Sequence, residues 1–389
     1  MKRPARGRDG QQWIYDYILK TTGRAVHFEM DGRNLPIQAK SIRMVSKHLA
    51  GEAEHAECLA KEADKRGDIV SARGLYRIAS EKYREAQHFT IPIISDWRWE
   101  LYESCRKCAE RLYEINEYPI ELVSIPSEIS NVPGVFHKAV VEGRAPAVIF
   151  IPGMDNTKEN YPNPLENEFV QRGIHVLAID GPGQGEMLER GIYVNPDNHV
   201  TAAKAAFEFL VSRSEVDPNR IGICGRSFGT FWSMRAAAAE PRFAAVAGAI
   251  ACYYWDRLTI FDEAPIRFKQ VFMAMAGMED EGLFDEMSVG FTLKNHAKNV
   301  MCPALMATGE FDPLNPLEDA EAVFKALPGP KEMWIFEDEF HPIFSPAALA
   351  GQATFHFVAE WMRNAMNGEL DNNFERKAYV RKSGEGFFG

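Results

Sequence analysis

Cysteine is sparse in this chain: Cys58, Cys105, Cys108, Cys224, Cys252 and Cys302 are the only six in 389 residues. Spread that widely they do not make the disulfide framework of a small secreted domain, and they fit a reducing compartment. Cys105 and Cys108 have the CxxC spacing, but they sit in a helical pattern with no second pair and no neighbouring histidine, so no metal or redox role is expected of them. Positive charge is also short. Lys and Arg number 44 against 55 Asp and Glu, a formal net charge of -11. That balance argues against nucleic acid or an anionic membrane surface as a partner, since both need a concentrated positive field. The basic first eight residues are too brief to reverse it and read as a solvated tail. No long apolar run follows them, because Gln11, Gln12, Asp16 and Lys20 interrupt the aromatic residues. Neither a signal peptide nor a membrane anchor is expected, and the expected address is the cytoplasm.

What is present divides by period. From about Gln38 to Tyr113 apolar residues recur at three- and four-residue steps, as at Leu75, Ile78, Ala79, Tyr83 and Ala86, which predicts helices. Gly67-Asp68 predicts a hairpin between two of them, and Ile91-Pro92 disturbs the pattern before a third. No second copy recurs at a fixed period, so a repeat array is not expected. From Ile120 onward short apolar runs at 120–125, 135–140, 147–151, 175–179, 220–224, 244–251, 304–308 and 332–336 alternate with helical stretches near 164–172, 200–211, 228–239, 317–326 and 346–366. This is the pattern of an α/β fold with a mostly parallel, eight-stranded sheet and helices on both faces. The expected organisation is a helical domain over 1–117, an α/β domain over 118–366 with a helical insert at 253–300, and a loosely held polar tail over 367–389.

One serine stands out against this background. In Gly222-Ile-Cys-Gly-Arg-Ser-Phe-Gly-Thr230, Ser227 lies between two glycines, after a strand and before a helix. A nucleophile elbow needs that context, because bulky residues at Gly225 and Gly229 would block the tight turn. A serine capping a helix in a Gly turn is the structural alternative. A base should follow the last strand, and His341, after Glu332–Phe340, is the histidine with the right order and setting. His55 and His88 sit in the N-terminal helices, His356 in the final helix, and His199 at a helix start. The acid should come between them. Asp312 ends the strand-turn Ala304-Leu-Met-Ala-Thr-Gly-Glu-Phe-Asp312, with Glu310 and Asp256 as alternatives. The order Ser, Asp, His is that of α/β-hydrolases.

An oxyanion site needs backbone donors. One is the N–H of Phe228, next to the serine. The second is expected in the loop Pro152-Gly-Met-Asp-Asn-Thr-Lys158, from Met154 or Asp155, with Gly153 letting the loop pass close. Asp180-Gly-Pro-Gly-Gln-Gly185 suggests a dinucleotide loop but fails, since the third glycine should fall at 186, which is Glu. The insert carries Phe261, Phe268, Phe272, Met273, Met275 and Met278, either packed on its neighbours or lining an apolar substrate pocket as a lid. Tyr253, Tyr254 and Asp256 follow a strand where the chain should pass beside the serine, and they are candidates to hydrogen-bond an enol or phenol. Interior tyrosine packing and a helix-capping Asp are the alternatives.

Gly153-Met-Asp-Asn-Thr-Lys-Glu159, Asp180-Gly-Pro-Gly-Gln-Gly-Glu186, Gly225-Arg-Ser-Phe-Gly229, Gly309-Glu-Phe-Asp312 and His341 together resemble the α/β-hydrolases related to 2,6-dihydroxypseudooxynicotine hydrolase. That group includes FrsA-like esterases and fungal polyketide-shortening hydrolases. Two features depart from common α/β-hydrolase patterns: Pro152-Gly153 stands where many members have His-Gly, and Arg226 fills the variable elbow position. The resemblance implies hydrolysis of a carbon–carbon bond between carbonyl groups, or of an ester, in the catabolism of an aromatic or polyketide-like small molecule. It also implies a homodimer. The expected chemistry is serine-dependent cleavage of a 1,3-dicarbonyl-like substrate through an acyl-enzyme, with no cofactor and no metal. The rivals are an ester or lactone hydrolase with the same three residues and a non-catalytic binding protein on the same fold.

Overall fold

The computed structural model describes residues 38–388 apart from 342 and 344. The expected basic tail and the rest of the first 37 residues lie outside the described residues. Three helices come first: α1 (Ile42–Arg66), α2 (Ile69–His88) and α3 (Asp96–Glu114). Gly67, at φ 81°, ends α1 in the left-handed conformation, and the Gly67 and Asp68 N–H groups donate to Asp64 and Ala63. A side chain at that φ would be strained, so the glycine makes the hairpin. The buried face of α2 is Ala72, Tyr76, Ala79, Tyr83 and Ala86. It is rotated from the expected stripe, and Ile78 is 47% exposed. Alanines dominate the contact because they let α1 and α2 approach closely.

The sheet has nine strands rather than eight, in the order β1-β2-β4-β3-β5-β6-β7-β8-β9. They are β1 (Ile120–Ile125), β2 (Val132–His137), β3 (Ala145–Ile151), β4 (His175–Ile179), β5 (Val216–Arg226), β6 (Ala245–Ile250), β7 (Ala304–Gly309), β8 (Lys331–Phe336) and β9 (Glu375–Val380). β2 runs antiparallel to both β1 and β4, and all the other neighbouring pairs are parallel. The ninth strand lies in the stretch expected to be a tail. Its charged residues hid it, since the burial pattern of an edge strand alternates and only Ala378 and Val380 are buried.

Successive strand residues feed opposite cores, as the pleat requires. Ile149, Ile151, Leu177, Ile179, Ile221 and Ile223 join the core under α4 (Gly185–Glu189), α5 (Asn198–Ser212) and α6 (Phe228–Ala239). Val148, Phe150, Val176, Ala178 and Cys224 join the one under the last helix, Thr354–Met366. That helix starts later than expected, because Ala350 and Gly351 turn left-handed ahead of it. The helix expected over 164–172 is only a short turn, Val170–Arg172. There the side chain of Asn167 accepts from the Phe169 and Val170 N–H groups, and this local bonding competes with a longer helix.

The insert forms three helices, α7 (Thr259–Asp262), α8 (Ile266–Met275) and α9 (Glu281–Ser288). Its Phe261, Phe272, Phe284 and Phe291 are buried against one another and against Phe228 of the elbow helix, with Phe228 and Phe272 ring centres 4.7 Å apart. Among the described residues no helix is long and apolar enough to cross a membrane.

Candidate active site

Ser227 occupies the turn between β5 and α6 at φ 53°, ψ −127°. Such a backbone costs a non-glycine residue roughly 1–3 kcal/mol and persists only where its surroundings over-determine it. Here they do. The Ser227 N–H donates to Ile250 at 2.8 Å, and Thr230 Oγ1, which can donate to one acceptor at a time, lies 3.0 Å from the Gly225 carbonyl and 2.8 Å from that of Ile250. A Cβ on Gly225 would lie 2.1 Å from the Gly229 carbonyl oxygen, and one on Gly229 would lie 2.1 Å from that of Ile151. Neither obstacle can move without moving the backbone of α6 or of β3, so both positions demand glycine.

His341 is reached from β8, after a loop that crosses the end of β7. Gly309 permits the crossing, because a Cβ there would stand 2.4 Å from the Glu339 carbonyl. His341 Nε2 lies 2.9 Å from Ser227 Oγ, and His341 Nδ1 lies 2.9 Å from Asp312 Oδ2. Both His341 and Asp312 are buried. The other carboxylate oxygen of Asp312 accepts the Leu314 N–H at 2.9 Å. The three residues therefore form one hydrogen-bonded line, in which a carboxylate can fix the imidazole and the imidazole can take the serine proton.

The loop after β3 passes beside this line. A Cβ on Gly153 would be 3.3 Å from Ser227 Cβ and from the Arg226 carbonyl. Met154 is buried, and Asp155 is bonded to His88 Nδ1. Phe228 heads α6 and is buried, so its N–H is one of the donors a helix start leaves without an intrahelical partner.

The structure does not bring Tyr253, Tyr254 or Asp256 to the serine in the way expected. The Tyr253 hydroxyl donates to the Gly248 carbonyl at 2.9 Å and accepts from the Ala307 N–H at 3.0 Å. The Tyr254 hydroxyl donates to Cys252 Sγ at 3.1 Å. Asp256 lies on the surface in an ion pair with Lys294 at 2.6 Å. The reason is that the chain leaves β6 inward: Asn315 Oδ1 accepts the Tyr253 N–H, which carries the tyrosine rings into the core. Glu310, the other alternative acid, accepts the Asp338 N–H instead.

Sequence reasoning missed the residues that hold the loop 152–158. Gln184 Nε2 donates to the Gly153 carbonyl at 2.7 Å and lies 3.2 Å from that of Pro152. Asp180, fully buried, accepts the Lys158 N–H at 2.8 Å, and its second oxygen receives Lys158 Nζ at 3.0 Å and the Tyr102 hydroxyl at 3.2 Å. The glycine-rich run after β4 was the available signal, and it serves this loop rather than a dinucleotide. Glu159, Asp180 and Glu186 are close enough together to hold a cation. Lys158 supplies that charge, with Nζ 2.6, 3.0 and 2.8 Å from the three carboxylates. Burial opposes the charge on Lys158, but Asp180 and Glu159 outweigh it and hold the ammonium well above its usual range.

Residues 164–369 match the prolyl oligopeptidase family. The chain is 30% identical to the alpha/beta hydrolase xenA of Xenoacremonium sinensis over 256 residues, covering 60% of this chain and 56% of that one. It is 27% identical to the 2,6-dihydropseudooxynicotine hydrolase of Paenarthrobacter nicotinovorans over 236 residues, covering 58% of this chain and 62% of that one. The chain thus spans little more than half the length of these relatives. The crystal structure of 2,6-dihydroxy-pseudo-oxynicotine hydrolase superposes with a TM-score of 0.73 at 21% identity, covering 94% of this chain and 99% of that one. At that identity the likeness speaks for the fold, which is that of the α/β-hydrolases.

Proposed function

The chain belongs to the prolyl oligopeptidase family, and from that premise we propose that it is a serine hydrolase with Ser227 as nucleophile, His341 as general base and acid, and Asp312 as the residue that orients and supports His341. The observation that carries this is the line Asp312–His341–Ser227 meeting a serine held at φ 53°. The N–H groups of Phe228 and of Met154 or Asp155 are the proposed oxyanion donors.

The proposed reaction is hydrolytic cleavage of a carbon–carbon bond in a 1,3-dicarbonyl-like small molecule, aromatic or polyketide-like. Ser227 Oγ bonds to the ketone carbon while its proton passes to His341. The tetrahedral oxyanion collapses, the C–C bond breaks, and its electron pair leaves on the carbon next to the second carbonyl as an enolate. His341 returns the proton to that carbon. Water, deprotonated by His341, then attacks the acyl-serine and releases a carboxylic acid. The motif resemblance and the relative named for 2,6-dihydropseudooxynicotine support this bond type. The N-terminal helices α1–α3, within the expected domain 1–117, and the insert 253–300 are proposed to cover the site, and a homodimer is the proposed assembly.

A second reading, hydrolysis of an ester or lactone by the same residues, is favoured by one observation. The polar atoms of Tyr253, Tyr254 and Asp256 are engaged elsewhere, so they do not serve a departing enolate. The test offers the protein aryl 1,3-diketones and matched aryl esters, identifies products by mass spectrometry, and treats it with a serine-directed phosphonate. Labelling at Ser227 with cleavage of the diketone upholds the first reading. Ester turnover with the diketone intact moves the assignment to the second, and a folded protein that does not label overturns both.

A further inference from the structure

A small pocket lies where four parts of the molecule meet, lined by the residues that directly follow Gly153 in the loop beside Ser227. Gln87 and Arg98 line it from the N-terminal helices, Met154 and Asp155 from the loop after β3, Gln184 from the loop after β4 and Met275 from the insert. Its free volume of 10 Å³ is about that of one water-sized group. It takes an oxygen atom, not a ring.

Two buried donors in the walls have no acceptor among the described residues. Arg98 is 8% exposed and Gln87 5% exposed. Arg98 Nη1 donates to the Gln87 carbonyl at 3.3 Å, but Arg98 Nε and Gln87 Nε2 find no acceptor among the described residues. Buried donors are rarely left so, because they forfeit their hydration without recompense. Arg267, from the insert, stands within electrostatic reach of Arg98 and Asp155 while donating to the carbonyls of His88 and Thr90. Burial and the neighbouring Arg98 pull its guanidinium down to about 10. Asp155 contributes a single carboxylate against these two guanidiniums, and it is also engaged with His88.

We propose that this pocket is a subsite for an anionic oxygen of the substrate, a carboxylate or enolate oxygen, received by the side chains of Arg98 and Gln87. The proposal rests on the serine-hydrolase reading, since Gly153, which comes directly before the pocket residues Met154 and Asp155, approaches Ser227. It supplies what Tyr253, Tyr254 and Asp256 do not: donors for negative charge on the part of the substrate away from the attacked carbonyl.

The experiment compares 4-nitrophenyl half-esters of adipic and pimelic acids with the uncharged 4-nitrophenyl hexanoate and heptanoate, and adds 1-phenyl-1,3-butanedione. If a resident carboxylate binds here, Arg98→Met and Gln87→Leu lower the kcat/KM ratio of charged over uncharged esters by about tenfold or more, the scale of a lost charge-assisted hydrogen bond. If an enolate oxygen binds here, they lower kcat on the diketone with KM little changed. Arg98→Lys, which keeps the charge, recovers part of either effect. Two folded variants with wild-type ester ratios and wild-type diketone kcat overturn the proposal. Should the wild-type protein turn over none of these compounds, phosphonate labelling of Ser227 decides the hydrolase reading separately. Calorimetric binding of adipate then decides the subsite: binding lost in both variants upholds it, and no binding to the wild type overturns it.

Discussion

Oγ of Ser227 and Nε2 of His341 stand 2.9 Å apart although 114 residues separate them in the chain. Two loops, one leaving β5 and one leaving β8, are held against each other by that contact. Ser227→Ala and His341→Ala are each expected to reduce turnover by on the order of 10⁴-fold or more, because the members of such a unit fail together. Thermal melting should move little in Ser227→Ala, which keeps the fold and removes one hydroxyl. Wild-type rates in either variant would remove these residues from the mechanism.

Asp312 and Asp256 make a matched pair for the question of which carboxylate orients the histidine. Asp312→Asn should lower kcat by roughly 10³ to 10⁴, since an amide cannot support the imidazolium and favours the wrong tautomer. Asp256→Asn should change rate and stability hardly at all, because its partner Lys294 and the aspartate are both half exposed, and such pairs are worth about 0–1 kcal/mol. The reverse ranking in steady-state kinetics would reassign the acid.

Lys158 is the counter-charge of a buried carboxylate group, and its side chain is 3% exposed. Lys158→Met should destabilise the protein by about 3–5 kcal/mol, the usual result of stripping one partner from a buried ion pair. Because the same ammonium holds Asp180, whose other oxygen anchors the loop beside Ser227 by accepting the Lys158 N–H, residual folded protein should also lose activity. Urea unfolding within 1 kcal/mol of wild type would show the network to be dispensable.

Burial pulls His137 and His199 down to about 3. In the unfolded chain a histidine titrates near 6.5, so between about pH 3 and 6.5 the unfolded state binds more protons than the folded one. Stability therefore falls as pH drops through that window, by at most about 1.4 kcal/mol per pH unit for each histidine. His199 packs flat on Trp232, with ring centres 3.7 Å apart. The variant His199→Gln should show a shallower loss of stability between pH 6.5 and 5 in urea titrations, and an unchanged slope would contradict the assignment.

Much of this arrangement is legible in the order of the residues. Ser227, Asp312 and His341 each follow a run of five or more apolar-rich residues that becomes a parallel strand. In a parallel sheet all the strand ends that lead into crossovers lie on one edge, so residues far apart in sequence share a small region of space. The glycines at 225 and 229 are equally readable, because the close approach they permit is a property of the backbone itself. β9 was not readable, since an edge strand exposes one face and its sequence resembles a polar tail.

Chain order and local pattern by themselves determined the α/β layering, the break at Gly67 and the set of residues able to meet at the sheet edge. These follow from backbone preferences and the period of apolar side chains, both local quantities. Only the tertiary structure decided which way each side chain faces and what it meets. It turned Tyr253 into the core and Asp256 out to Lys294, set Gln184 under the loop 152–158, and closed Arg98 and Gln87 around a pocket shared by four separate segments. Those outcomes depend on packing and pairing between elements remote in sequence, and nothing in the residues on either side of each position records them.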